Sequence, residues 1–174
     1  MEEQRAPSIG KIAGKYGLIQ GVLSFVVFVV TAMAGIKQNW IQSVAGIVLL
    51  IVLMVLAHRE FKRTHEGRMT YAQGLGSGTL LSIVSAVVSC VLVYIYVKFI
   101  NTGYLAAALQ ARKAALEQPG ITGAQAQQAM AITQAIMTPA GVVVTSLISG
   151  VIVGFIVALI VSIFTQKGDP RAVV

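Results

Sequence analysis

Residues 140–164 read AGVVVTSLISGVIVGFIVALIVSIF and contain no Asp, Glu, Lys, Arg or His. Three further stretches, 16–36, 40–57 and 75–97, also lack ionisable side chains. Each stretch is about 18 to 25 residues long, which lets a helix cross a hydrocarbon core of roughly 30 Å. We therefore expect an all-α integral membrane protein, with residues 1–174 forming a single integral membrane domain built as a four-transmembrane-helix bundle.

The composition agrees with a membrane protein, because 56% of the residues are hydrophobic and only 11% are charged. The net charge of +7 comes from basic residues beside the apolar stretches, where Lys and Arg anchor helix ends at anionic headgroups. No basic face interleaved with aromatic residues is seen, so the expected partner is the lipid bilayer and not nucleic acid. The predicted membrane-anchoring residues are Lys11, Lys15, Arg59, Lys62, Arg63, Arg68 and Lys167.

The distribution of basic residues also predicts an orientation. With four spans, the amino terminus, the second loop and the carboxyl terminus lie on one side, and they hold nine of the 13 Lys and Arg residues. Cytoplasmic loops carry the excess of positive charge, so both termini are expected in the cytoplasm. The stretch 16–36 is long enough to span, which favours a membrane helix over a cleaved signal peptide.

Capping signals predict where several helices begin and end. Thr70 followed by Gln73 matches a capping box, which predicts a helix that starts at residue 71. Gly67 suits the left-handed end of the preceding helix. Thr138 and Pro139 supply a cap and a first-turn proline for the last span.

The segment 101–138 is the only sizeable region outside the four stretches. Residues 104–117 and 123–137 are rich in Ala, Gln, Leu and Met and favour helix, and Pro119-Gly120 predicts a turn between them. We expect a short extracytoplasmic helical hairpin between the third and fourth membrane helices. The alternative is that these segments directly extend those two helices.

Small residues recur every four positions in the third and fourth apolar stretches. Small side chains at this spacing let two membrane helices approach closely, and their hydroxyls can hydrogen bond across the contact. The pattern predicts tight packing of these helices, with a polar-lined path for a solute as the alternative. The predicted helix-packing residues are Gly74, Gly78, Ser82, Ala86, Ser146, Gly150, Gly154 and Ala158.

Catalytic and metal-binding patterns are missing from the sequence. His58 and His65 are seven residues apart, which is about 10.5 Å along a helix, too far to share one ion with bonds near 2 Å. The glycines of 74–78 lack the preceding strand and the Lys-Ser/Thr pair of a phosphate loop. We expect no catalytic, cofactor-binding or metal site, no cofactor, and no enzyme activity.

Several short sequences in order resemble a family of small bacterial inner-membrane proteins, domain of unknown function forty-one ninety-nine. They are KYG at 15–17, GRMTYAQGL at 67–75, YIYVKFI at 94–100, QQAM at 127–130, MTP at 137–139 and IFTQK at 163–167. The resemblance implies four spans, an extracytoplasmic insert and a place in the bacterial inner (cytoplasmic) membrane. It implies no established activity and no catalytic residues.

Taken with the small-residue rows, these features lead us to expect a non-catalytic accessory or scaffolding subunit. It would pack with itself or with other membrane protein subunits, since close helix contact is the property that the apolar stretches display. The alternative is a passive pore or small-solute carrier, suggested by the Ser and Thr hydroxyls in the third and fourth stretches.

Overall fold

A computed structural model of the chain describes residues 8–34, 39–116 and 123–166, and helices account for nearly all of them. The third helix continues directly into a π-helical turn, Tyr96–Ile100. The α-helices are α1 (Ile9–Met33), α2 (Asn39–Thr64), α3 (Tyr71–Ile95), α4 (Tyr104–Leu116), α5 (Gly123–Ile136) and α6 (Pro139–Thr165).

Within these described ranges, four helical segments are long and apolar enough to cross a membrane. They are Ile9–Met33, Trp40–Thr64, Tyr71–Ile100 and Pro139–Thr165, and each contains one of the predicted stretches or nearly all of it. Hydrocarbon offers the backbone no hydrogen-bonding partner, so uncharged segments satisfy their amides within a helix. The chain is therefore all-helical in its described part and has the architecture of a multi-pass membrane protein.

The predicted helix boundaries are confirmed where the structure describes them. The Thr70 amide donates to Gln73 Oε1 at 2.9 Å, and the Gln73 amide donates back to Thr70 Oγ1 at 3.3 Å, which completes the capping box before α3. The amide of Gly67, at φ +78°, bonds the Lys62 carbonyl at 2.8 Å and closes the end of α2. Thr138 Oγ1 accepts from the Gly141 amide at 3.0 Å at the start of α6.

The chain divides into two compact units. The first comprises Met1–Ser89 and Ser149–Val174, and its core lies near the basic ends of α1, α2, α3 and α6. Ile12, Met54, Phe61 and Leu81 are almost completely buried there, with Ala158 from α6. Farther along the helices, large apolar side chains are exposed, as expected for surfaces that face lipid in a bilayer.

The second unit, Cys90–Ile148, contains the end of α3, the π-helical turn, α4, α5 and the start of α6. The Cys90 thiol lies 3.6 Å from the Val143 carbonyl, and Tyr96 is buried. Burial, with a smaller effect from Tyr96, raises the pKa of Tyr104 above its ordinary value. Helices α4 and α5 contact each other, while the predicted turn at Pro119-Gly120 lies outside the described residues.

Candidate functional site

Charged and polar side chains meet where α1 begins and α2 ends. Lys15 Nζ donates to both carboxylate oxygens of Glu60, at 3.0 and 2.9 Å, and the Tyr16 hydroxyl donates to Glu60 Oε2 at 2.7 Å. The side chains of Lys15 and Glu60 are 55% and 31% exposed, so solvent screens the attraction between their charges. The cluster links α1 to α2 through side-chain hydrogen bonds.

A cavity of about 530 Å³ opens beside this cluster. Its wall carries three cationic side chains and one carboxylate, together with one apolar and two hydroxyl-bearing residues. Glu60 is hydrogen bonded by Lys15 and Tyr16, and with three cations against one carboxylate the wall carries an excess of positive charge. The lining residues are Lys15, Tyr16, Leu56, Arg59, Glu60, Arg63 and Thr64.

Two residues before Glu60 on α2, the completely buried His58 links α2 to two further helices. Its Nε2 lies 3.0 Å from the Gly74 carbonyl of α3, and its Nδ1 lies 2.7 Å from Thr165 Oγ1 of α6. A carbonyl can only accept, so Nε2 carries a proton. Thr165 Oγ1 also lies 2.8 Å from the Val161 carbonyl, and its single hydroxyl proton serves one of these two acceptors at a time.

Lys62 of α2 also contacts the end of α6. Its ammonium donates to the Thr165 carbonyl at 3.1 Å, one of the last carbonyls of the helix, which has no partner within the helix. A cation at this position also complements the negative end of the helix dipole. Lys62, which the sequence places among the membrane anchors, therefore caps α6 as well.

The second histidine has a different environment. His65 stacks on the Phe61 ring at 4.0 Å, and its Nδ1 lies 3.0 Å from the Phe61 carbonyl. In the described part of the chain, no three His, Cys, Asp or Glu residues are grouped so that they could hold a metal ion. The two histidines act in helix packing and helix termination, each through its own neighbours.

The small residues of α3 and α6 face each other in the first unit. A Cβ at Gly78 would lie 2.8 Å from Ala158 Cβ, and one at Gly154 would overlap the Ser82 side chain. Such positions leave no room for any side chain larger than hydrogen.

Other positions in these rows are packed less closely than Gly78 and Gly154. A Cβ at Gly150 would lie 3.3 Å from Ala86 Cβ, and one at Gly74 would lie 3.1 Å from Ser162 Oγ. Ser146 is exposed.

Two glycines of α1, which the sequence reasoning did not select for packing, make equally close contacts. A Cβ at Gly17 would lie 2.8 Å from the Leu81 carbonyl oxygen, and one at Gly21 would lie 2.7 Å from Val88 Cβ, both on α3. Ala13, four residues before Gly17, is completely buried. Ala13, Gly17 and Gly21 recur every four residues, and this spacing in the sequence could have predicted close packing of α1.

Five of the seven predicted membrane anchors have exposed side chains. Lys11, Lys15, Arg59, Arg63 and Arg68 are exposed, as side chains that reach headgroups would be. Lys167 lies outside the described residues.

A protein-family model described as "Protein of unknown function (DUF4199)" matches residues 15–167. The chain belongs to this family. The match confirms the resemblance inferred from the short sequences. The matched range includes Lys15, Tyr16 and Glu60, and also His58 with its hydrogen-bond partners Gly74 and Thr165. No curated protein and no solved structure matches this DUF4199 chain.

Proposed function

We propose that this DUF4199 protein is a non-catalytic accessory or scaffolding subunit of the bacterial inner membrane, with both termini in the cytoplasm. It associates with itself or with a larger membrane complex. The proposal rests on hydroxyl groups on the outer face of α6.

Thr145 and Ser146, in the second unit, are exposed on α6, and so is Ser149, in the first unit. None of their hydroxyls has a hydrogen-bond partner among the described residues. Small hydroxyl-bearing residues let a second membrane helix approach and then bond across the contact. An apolar surface would serve contact with lipid alone, so these hydroxyls support a role in helix association.

Hydroxyls inside the first unit support the same reading. Ser82 is 3% exposed and donates to the Gly78 carbonyl at 2.9 Å, and Ser85 is buried. Ser82 fills the α3–α6 contact, where Gly154 offers it space. Its hydroxyl bonds a carbonyl of its own helix and is shielded from solvent, which favours packing over a solute path.

Cysteine crosslinking in native membranes tests the association. In a Cys90→Ser background, Ser149→Cys is compared with Val26→Cys, a position on α1 that is 47% exposed and apolar. We expect oxidation to give a disulfide-linked dimer, or an adduct with another membrane protein, at position 149 and much less at position 26. Equal yields at the two positions, or no adduct at either, would contradict the proposal.

A second candidate, a passive pore or small-solute carrier, draws on two buried hydroxyls. Ser77 Oγ of α3 and Ser162 Oγ of α6 are fully buried and have no hydrogen-bond partner among the residues that the structure describes. A path for a polar solute would use such groups. Vesicles containing the purified protein that release ions, water or small neutral solutes faster than protein-free vesicles would favour this function over the scaffolding role.

A further inference from the structure

We infer that the cavity between α1 and α2 binds the phosphate of an anionic phospholipid, held by Arg59 and Arg63. The charged and apolar parts of the cavity wall carry this inference. It is independent of the scaffolding role, since a lipid site can exist with or without a protein partner.

The two arginines lie on one face of α2, four residues apart, so their guanidinium groups reach the same region. Both are exposed and line the cavity. Neither makes a hydrogen bond or ion pair with any residue that the structure describes. Guanidinium groups match the geometry of phosphate oxygens and bind them through paired N–H donors.

The Glu60 carboxylate does not occupy the arginine side chains where an anionic ligand would bind. Glu60, the one acidic residue in the cavity wall, accepts two hydrogen bonds from Lys15 and one from Tyr16. Glu60 therefore offsets one of the three positive charges on the wall, mainly through Lys15 and with a smaller electrostatic contribution from Arg63. The two arginines leave an excess of positive charge on the wall, which favours an anion.

The position of the cavity along the helices selects a lipid over a free anion. Leu56 contributes an apolar wall, is 39% exposed, and belongs to the uncharged stretch 40–57. Arg59 and Arg63 follow one and two turns later, beyond the end of that stretch. The wall thus changes from apolar to cationic along the helix axis, as a phospholipid changes from acyl chain to phosphate. Basic pockets between membrane helices bind anionic headgroups in this way.

Competition binding to the full-length protein in detergent tests the site. The probe is phosphatidylglycerol with a fluorophore on one acyl chain, followed by fluorescence anisotropy. The competitors are unlabelled phosphatidylglycerol, phosphatidylcholine with the same acyl chains, and inorganic phosphate. We expect phosphatidylglycerol to displace the probe at concentrations several-fold below phosphatidylcholine, and phosphate to leave the probe bound at equal concentration.

The variants Arg59→Gln and Arg63→Gln locate the binding. Each is expected to weaken probe binding about fivefold, and the double variant about 25-fold, the effect of one or two basic side chains near an anionic headgroup. Lys11→Gln is the matched control, since it removes an exposed cation from the same end of the protein outside the cavity wall. It should change the affinity less than twofold.

Three results would overturn the inference. The first is binding by the double variant that equals binding by Lys11→Gln. The second is competition by phosphatidylcholine that equals competition by phosphatidylglycerol. The third is displacement of the probe by inorganic phosphate as effective as displacement by the lipid. The last result would indicate a site for free phosphate. If the glutamine variants fail to fold, the headgroup selectivity of the unmodified protein and the affinity of Arg63→Lys, expected between those of the parent and Arg63→Gln, decide the question.

Discussion

Replacing Gly17 by alanine should loosen the contact between α1 and α3. The new Cβ would lie 2.8 Å from the Leu81 carbonyl oxygen and 2.8 Å from Val84 Cβ, whereas ordinary contact begins at 3.4 Å. A backbone carbonyl cannot rotate away as the end of a long side chain can. The two helices must therefore separate by several tenths of an ångström along this contact.

Gly14 of the same helix supplies the matched control. Apart from the adjacent residues and the backbone of α1 itself, no described atom lies within 4 Å of a Cβ built at Gly14, so Gly14→Ala adds a methyl group in open space. Both substitutions raise the helix propensity of α1 by the same amount, and this contribution cancels in the comparison. Overpacking of a close contact costs about 1–3 kcal/mol, so Gly17→Ala should have a free energy of unfolding lower than Gly14→Ala by that amount.

Unfolding by sodium dodecyl sulfate, added to the protein in a mild detergent and followed by far-ultraviolet circular dichroism, measures this difference. Gly17→Ala should unfold at a lower mole fraction of dodecyl sulfate than Gly14→Ala. The same midpoint for the two variants would refute the assignment of Gly17 to a close helix contact.

The same titration tests two further helix contacts. Gly154→Leu should destabilise more than Gly150→Leu, because a Cβ at 154 overlaps Ser82 whereas one at 150 stops 3.3 Å from Ala86, and the reverse order would contradict the described α3–α6 contact. His58→Leu should lower the free energy of unfolding by about 1–3 kcal/mol, since it removes the side-chain link between α2, α3 and α6, and an unchanged midpoint would show that the link is dispensable.

The candidate site was only partly readable from the sequence. Lys15, Arg59 and Arg63 could be selected as cations beside apolar stretches, because charge placement along the chain is enough for that. The pairing of Lys15 with Glu60 could not be read, since the two residues are 45 positions apart and meet only through the packing of α1 on α2. The same holds for His58, whose partner Thr165 is 107 positions away.

The glycines show where the sequence pattern was incomplete. The rows on α3 and α6 were visible as spacings of four, and the structure places Gly78 against Ala158. Gly17 and Gly21 have the same spacing on α1 and contact α3. The sequence pattern did not indicate that α1 packs against α3. Spacing identifies a surface suited to close contact, and the identity of the opposing helix depends on the tertiary structure.

The sequence by itself determined which segments are membrane helices and where several of them begin and end. Uncharged length and local capping are properties of consecutive residues, so Thr70 with Gln73 and Thr138 with Pro139 sufficed. Only the tertiary structure decided which faces meet. In a soluble protein, alternation of apolar and polar residues would indicate the buried face of each helix. These helices are apolar on nearly every side, and their contacts follow from shape and from a few hydrogen bonds between residues far apart in the chain.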